Sequence, residues 1–119
     1  MAEHQVRMVI LSTDNLDESI RFYSEELGFP LKFRDGDHFA AFDGGSITIA
    51  LATALDHPIP GHVVLGIKSD DVDRSARIAE AAGGAIAKAA YDDAHERRAV
   101  VFDNKGNGLV FYASLPRQT

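Results

Sequence analysis

No cysteine occurs among the 119 residues. A disulfide framework, a thiolate metal site and a cysteine nucleophile are therefore all excluded. Tryptophan is also missing, and proline occurs only four times. No apolar run approaches the roughly 20 residues that a membrane-spanning helix needs. Positive charge is scarce: 12 Lys and Arg stand against 18 Asp and Glu, giving a formal charge of −6. No basic run is present, which argues against nucleic acid and anionic membrane surfaces as partners. The first residues, MAEHQVRM, carry an acid and no apolar block of the signal-peptide kind. A cytoplasmic, soluble protein is the expectation. The length suits one structural domain, or two small modules sharing a core, without covalent staples.

What is present is a repeat. Residues 12–29, STDNLDESIRFYSEELGF, read as a strand end, a capped helix and a glycine stop. Asn15 is a good N-cap, and Glu18 three residues on completes a capping-box pattern. Leu16, Ile20, Tyr23 and Leu27 fall on one helical face, and Gly28 sits where a terminating glycine belongs. The pattern returns 56 positions later in DVDRSARIAEAAGG, residues 71–84. At that offset Asn15 meets Asp71, Leu16 meets Val72, Ser19 meets Ser75, Phe22 meets Ile78 and Gly28 meets Gly84. The flanks repeat too. Val9, Ile10 and Leu11 precede the first helix, and Val63, Val64 and Leu65 precede the second. FDGGSITIAL follows the first and FDNKGNGLVF the second, each reading as strand, Asp/Gly turn, strand. Repetition of a whole supersecondary unit sets the fold reading before anything else.

The chain then divides into a βαβββ module over 1–52, a linker over 53–61 and a second βαβββ module over 62–119. Strands are expected over 6–11, 29–34, 38–42, 46–52, 62–69 and 85–91, with two more ending at 102 and 112. Helices are expected over 16–27 and 72–82. Asp35-Gly36 marks a hairpin. The linker, TALDHPIPG, holds two prolines and a glycine. The fold class is α+β: two tandem βαβββ modules with curved mixed sheets forming a cleft, and helices on the outside.

LDESIRFYSEELGF, HVVLGIKSDDVDRS and FDNKGNGLVF together resemble the vicinal oxygen chelate superfamily, which includes glyoxalase I, extradiol dioxygenases and the bleomycin and fosfomycin resistance proteins. The last stretch departs from that family's Asp-Pro-Asp-Gly-Asn turn, with Asn104 and Lys105 in place of Pro and Asp. The resemblance implies up to four metal ligands on cleft-facing positions of the first and fourth strand of each module. Carried over, those positions fall on Met8, near Ala50, on Val64 (or on His62, if strand starts are aligned), and on Val110. Met and aliphatic side chains cannot supply the imidazole or hard oxygen donors of such sites. The resemblance so read implies a metal-free binder of a small apolar or aromatic molecule, of the sequestering or resistance kind, with no cofactor. Its ligand-binding residues would be Met8, Ile10, Ala50, His62, Val64, Arg98, Val110 and Tyr112. No catalytic residue is assigned. The alternative is a divalent-metal lyase, epimerase or dioxygenase of the same superfamily. The family also implies a homodimer. A purely protein-binding module has no positive feature in the sequence.

Other polar candidates read first as ordinary structure. His38 suits a solvated hairpin, His57 a linker and Tyr23 helix packing. The charged stretch 92–98, DDAHERR, suits a solvated loop, apart from Arg98, whose guanidinium would turn into the cleft to meet an anionic group. The aromatic residues Phe33, Phe39, Phe42, Tyr91, Phe102, Phe111 and Tyr112 recur along strands. Those not used as core would line an apolar pocket.

Overall fold

The computed structural model describes residues 4–116. Among them lie eight strands and two helices in the expected order. The strands are β1 (His4–Ser12), β2 (Leu31–Asp35), β3 (Phe39–Asp43), β4 (Thr48–Ala52), β5 (Val64–Ser69), β6 (Ala85–Asp92), β7 (Glu96–Phe102) and β8 (Gly108–Ser114). Helix α1 (Leu16–Ile20) continues as a π-helix (Arg21–Glu26), and α2 spans Val72–Ala81. The chain forms two compact units. Among the described residues, one is Arg7–Leu65, and the other joins residues 4–6 to residues 66–116. The fold is α+β with mixed strand pairing.

In the first unit the strand order is β2-β3-β4-β1. β1 and β4 run parallel, with Met8 opposite Thr48 and Ile10 opposite Ala50. β3 is antiparallel to both β4 and β2, and a register shift interrupts the β2 pairing between Leu31 and Phe33. Leu16 of α1 joins Ala40, Phe42 and Leu51 in a buried cluster, against which Leu11, Ile20, Tyr23, Phe29 and Ile49 pack. Phe42 is fully buried, and burial of such a ring contributes about 2–3 kcal/mol.

The second unit repeats the plan in the order β5-β8-β7-β6. Val72 and Ala76 of α2 pack on Ala99, Val101 and Phe111, with Ile67, Ile86 and Leu109 around them. Arg97 leaves β7 on the helix side and grips Asp73 of α2 through two hydrogen bonds of 2.8 Å.

The helix caps follow the sequence in kind, with three differences. Asn15 Oδ1 accepts from the Glu18 amide at 3.1 Å, and Asp71 Oδ1 accepts from the Arg74 amide at 3.0 Å. The expected return bond from Glu18 is replaced, because the Asn15 amide donates to Thr13 Oγ1 at 3.0 Å. The Asp71 amide likewise donates to Ser69 Oγ at 3.1 Å. Secondly, the first helix is wound more loosely at its end. The Leu27 amide reaches back five residues to the Phe22 carbonyl at 3.1 Å. That looser turn takes up an extra residue. As a result the left-handed stop glycines are Gly28 (φ 83°) and Gly83 (φ 104°), one position out of the 56-residue register. Gly84 is needed for a different reason: a Cβ there would lie 2.5 Å from the Phe102 carbonyl oxygen. Thirdly, β5 begins at Val64, two residues later than expected. His62 belongs to the preceding turn, where its amide donates to the Ile59 carbonyl at 3.1 Å after a left-handed Gly61.

Candidate functional site

Strand alternation decides which residues can form a site. In the first unit, Leu11, Ile49, Leu51, Ala40 and Phe42 face the helix. Met8, Ile10, Ala41, Thr48 and Ala50 therefore share the opposite face, joined by the pairs Met8–Thr48, Ile10–Ala50 and Ala41–Ala50. Ile10 and Ala50 are buried, while Met8 is partly exposed. Phe33 and Phe39 stack with ring centroids 5.7 Å apart, and Phe33 lies opposite Ala41. The first unit thus places Met8, Ile10 and Ala50 together on one apolar face.

In the second unit, Ala99, Val101 and Phe111 face α2. Arg98 and Val100 of β7, with Val110 and Tyr112 of β8, take the other face. Tyr112 stands opposite Arg98, and Val110 opposite Val100. Val110 is buried, whereas Arg98 and Tyr112 are partly exposed. Val64, at the start of β5 and within the Arg7–Leu65 unit, is buried too. His62 falls outside this pattern. It is exposed in the turn ahead of β5, so the two-residue alternation that would set it beside Val64 on a strand face does not reach it. Its carbonyl accepts a hydrogen bond from Ser12 Oγ at 3.0 Å.

Of the stretch 92–98, Asp92 ends β6, residues 93–95 form an exposed turn, and Glu96, Arg97 and Arg98 open β7. Asp93 Oδ1 accepts from the amides of His95 and Glu96 at 2.9 and 2.7 Å. Arg97 bridges Asp73 and Asp92, and this double partnership raises its pKa. Arg98 has Asp93 and Glu96 each 3.8 Å away. Burial pushes the Glu96 carboxyl up from its ordinary value.

Two features have only faint signals in the sequence. The first is a chain of hydroxyls. Ser75 Oγ lies 2.6 Å from Ser69 Oγ and 2.6 Å from His4 Nε2, beside a cavity of about 30 Å³. Thr13 and Ser19 repeat the hydroxyl pair at 2.6 Å in the first unit, so the 56-residue offset could have found it. The second is His57, which is buried. The Ile59 amide donates to its Nδ1 at 3.0 Å, and its Nε2 faces the Ile10 carbonyl at 3.4 Å. Burial lowers its pKa. His38 is the reverse case: a hydrogen bond to Asp56 at 2.5 Å raises its imidazole. The 53–61 segment is therefore tied down by two histidines. With Ser12, Thr13 and Asp14 it also borders an open depression of about 470 Å³.

The donor set bears on the metal chemistry that the resemblance implies. Among the described residues no three His, Asp or Glu side chains gather in a way that could hold a metal ion. The carried-over positions are a thioether (Met8) and aliphatic groups (Ala50, Val64, Val110). This set does not fit a divalent-metal centre of that kind. Among the same residues, no helix is long and apolar enough to cross a membrane.

Comparison with known proteins agrees with this architecture. The chain is 70% identical to an uncharacterized protein of Mycolicibacterium smegmatis, over 98% of this chain and all of that one. It is similar in structure to a glyoxalase/bleomycin resistance protein/dioxygenase superfamily member from Vibrio splendidus 12B01, with a TM-score of 0.70 at 20% identity, covering 88% of this chain and 95% of that one. A hypothetical protein of Bacillus halodurans C-125 matches with a TM-score of 0.74 at 14% identity, over 99% of both chains. Likeness at such identities shows the fold alone. The family model of the Glyoxalase/Bleomycin resistance protein/Dioxygenase superfamily matches residues 5–111, and the chain belongs to that superfamily.

Proposed function

We propose that this protein binds a small apolar or aromatic molecule without a metal ion, as a sequestering or resistance-type member of its superfamily. One observation carries the reading. The strand positions that the resemblance assigns to the metal ligands of the superfamily's metalloenzymes fall on Met8, Ala50, Val110 and either Val64 or His62, three of them a thioether or aliphatic whichever alignment is taken. Such a surface works by removing apolar area from water, with a few polar groups fixing orientation. Ile10 extends the face of the first unit, and on the separate face of the second unit Arg98 and Tyr112 supply polar atoms. Buried Ile10, Ala50 and Val64 belong to the first unit, and buried Val110 to the second. On its own unit's face a ligand would meet partly exposed Met8 in the first unit, or partly exposed Arg98 and Tyr112 in the second. His62 belongs to the rim in this reading. A homodimer fits the exposed apolar side chains of the first unit, Phe22, Leu27 and Leu31, and light scattering would measure it.

The test is a binding screen on chelator-treated protein with aromatic and antibiotic-like compounds, read by melting temperature and by NMR. Binding should survive chelation and be lost in Met8→Asp. That variant sets a charge on the apolar face at a position exposed enough to tolerate it. Recovery of binding only after a divalent metal is added would overturn the proposal.

A further inference from the structure

We infer that Arg98 is the polar anchor of this ligand site, and that it selects an uncharged planar aromatic bearing a carbonyl-type oxygen. The inference rests on the proposed small-molecule binding and narrows it to one chemical class. Arg98 lies on β7 directly opposite Tyr91 of β6 and Tyr112 of β8. Side chains directly opposite one another in antiparallel strands share a face. The three therefore form a Tyr–Arg–Tyr row across the second unit, on the side away from α2. Lys88 Nζ sits 4.0 Å over the Tyr91 ring.

The guanidinium is unusual in what it leaves unused. Its Nε is buried, and it is the one buried side-chain nitrogen or oxygen without a hydrogen-bond partner among the described residues. Two other strand arginines spend theirs: Arg34 Nε donates to the Gly36 carbonyl and Arg97 Nε to Asp73, both at 2.8 Å. Two carboxylates flank Arg98: Glu96 Oε1 lies 3.8 Å from Nε, and Asp93 Oδ2 lies 3.8 Å from an Nη. That separation is too long for a hydrogen bond and too short to admit a bridging water. A buried N–H without an acceptor calls for one.

The same two carboxylates decide its charge. They already offset the single positive charge of the guanidinium, so an arriving carboxylate would meet two like charges within a few ångströms. A carbonyl oxygen takes the Nε–H without that repulsion. The tyrosine rings on either side favour a flat ligand. The sequence-based expectation of an anionic partner for Arg98 is thereby replaced by a neutral one.

Three probes of matched size test this: acetophenone (neutral acceptor), benzoate (anionic) and toluene (no acceptor). Each would be titrated into isotopically labelled protein while the arginine Nε–H resonances are followed. Acetophenone should move the Arg98 Nε–H signal and bind at least ten-fold more tightly than either other probe. Arg98→Met should bind acetophenone and toluene alike. Should that variant not fold, Arg98→Leu removes the same N–H donors with a shorter apolar stem, and the same equality is expected. Benzoate binding as well as acetophenone, or a preference for acetophenone surviving in the variants, would overturn the inference. So would an unmoved Arg98 signal in a protein that binds toluene, which would leave the broader binding proposal standing. Failure of all three probes to bind would count against both.

Discussion

Replacing His57 separates hydrogen bonding from packing in the 53–61 segment. The Ile59 amide must donate to Nδ1, so the ring proton sits on Nε2 and points at the Ile10 carbonyl. The buried ring is thus neutral, and it ties the segment to β1. His57→Leu keeps most of the volume and leaves the Ile59 amide without its acceptor. A buried amide in that state costs about 1–3 kcal/mol, and loss of the longer Ile10 contact adds less. We expect a loss of about 2 kcal/mol, or roughly 8 °C in melting temperature for a domain of this size. His57→Gln can accept from Ile59 and donate to Ile10, and should cost less than half as much.

The pH dependence adds a second check. Burial lowers the folded His57 pKa below its unfolded value. Its contribution is complete above about 6.5. As pH falls further the unfolded chain takes the proton first, and stability declines until the folded imidazole also titrates. His57→Gln should flatten this acid limb. His38 has the opposite sign. Asp56 raises its folded pKa, so its contribution is complete below about 6.5 and is lost as pH rises through that raised value. The assay is urea unfolding followed by circular dichroism from pH 5 to 8. An acid limb in His57→Gln as steep as in the parent, or a His57→Leu variant of undiminished stability at pH 7.5, would refute the reasoning.

Two glycine substitutions should differ in cost. Gly84→Ala drives a Cβ into the Phe102 and Ala79 carbonyl oxygens and should lose about 3 kcal/mol, whereas Gly28→Ala meets open space and pays only for its left-handed backbone, about 1 kcal/mol. Equal melting temperatures for the two would contradict this account. Ser75→Ala leaves Ser69 and His4 without a shared partner in a buried setting and should lose about 2 kcal/mol, while Ser19→Ala, in the less buried copy of the same device, should lose about 1 kcal/mol, both read by urea unfolding.

The duplication made most of this fold legible. Cap residues, apolar stripes and stop glycines are short-range signals, and Asn15, Asp71 and Gly28 act as their chemistry dictates. The extra residue in the first helix was not legible, because a π-turn keeps the same apolar side chains and merely winds them more loosely. That one residue explains why Gly83, and not Gly84, matches Gly28. Alternation put Met8, Ile10 and Ala50 on one face and Arg98 beside Tyr112 on another. It failed at His62, where Pro60 and Gly61 carry the turn two residues further than the apolar pattern suggests. His57 was hidden for another reason. A histidine between an aspartate and a proline looks like loop, and only the long-range approach of Ile10, 47 positions earlier, shows that it is buried. The orphaned Arg98 Nε is likewise a product of distances, which no sequence pattern carries.

The central claim, binding without a metal, is met most directly by elemental analysis of chelator-treated protein after equilibration with Zn, Ni, Mn and Fe(II) and removal of the free ions. The aliphatic groups at Ala50, Val64 and Val110 predict no metal retained near one per chain, and no shift in melting temperature with any of the four. Retention of one metal per chain, abolished by His62→Ala, would contradict that claim and would return the protein to the metal-dependent chemistry of its superfamily.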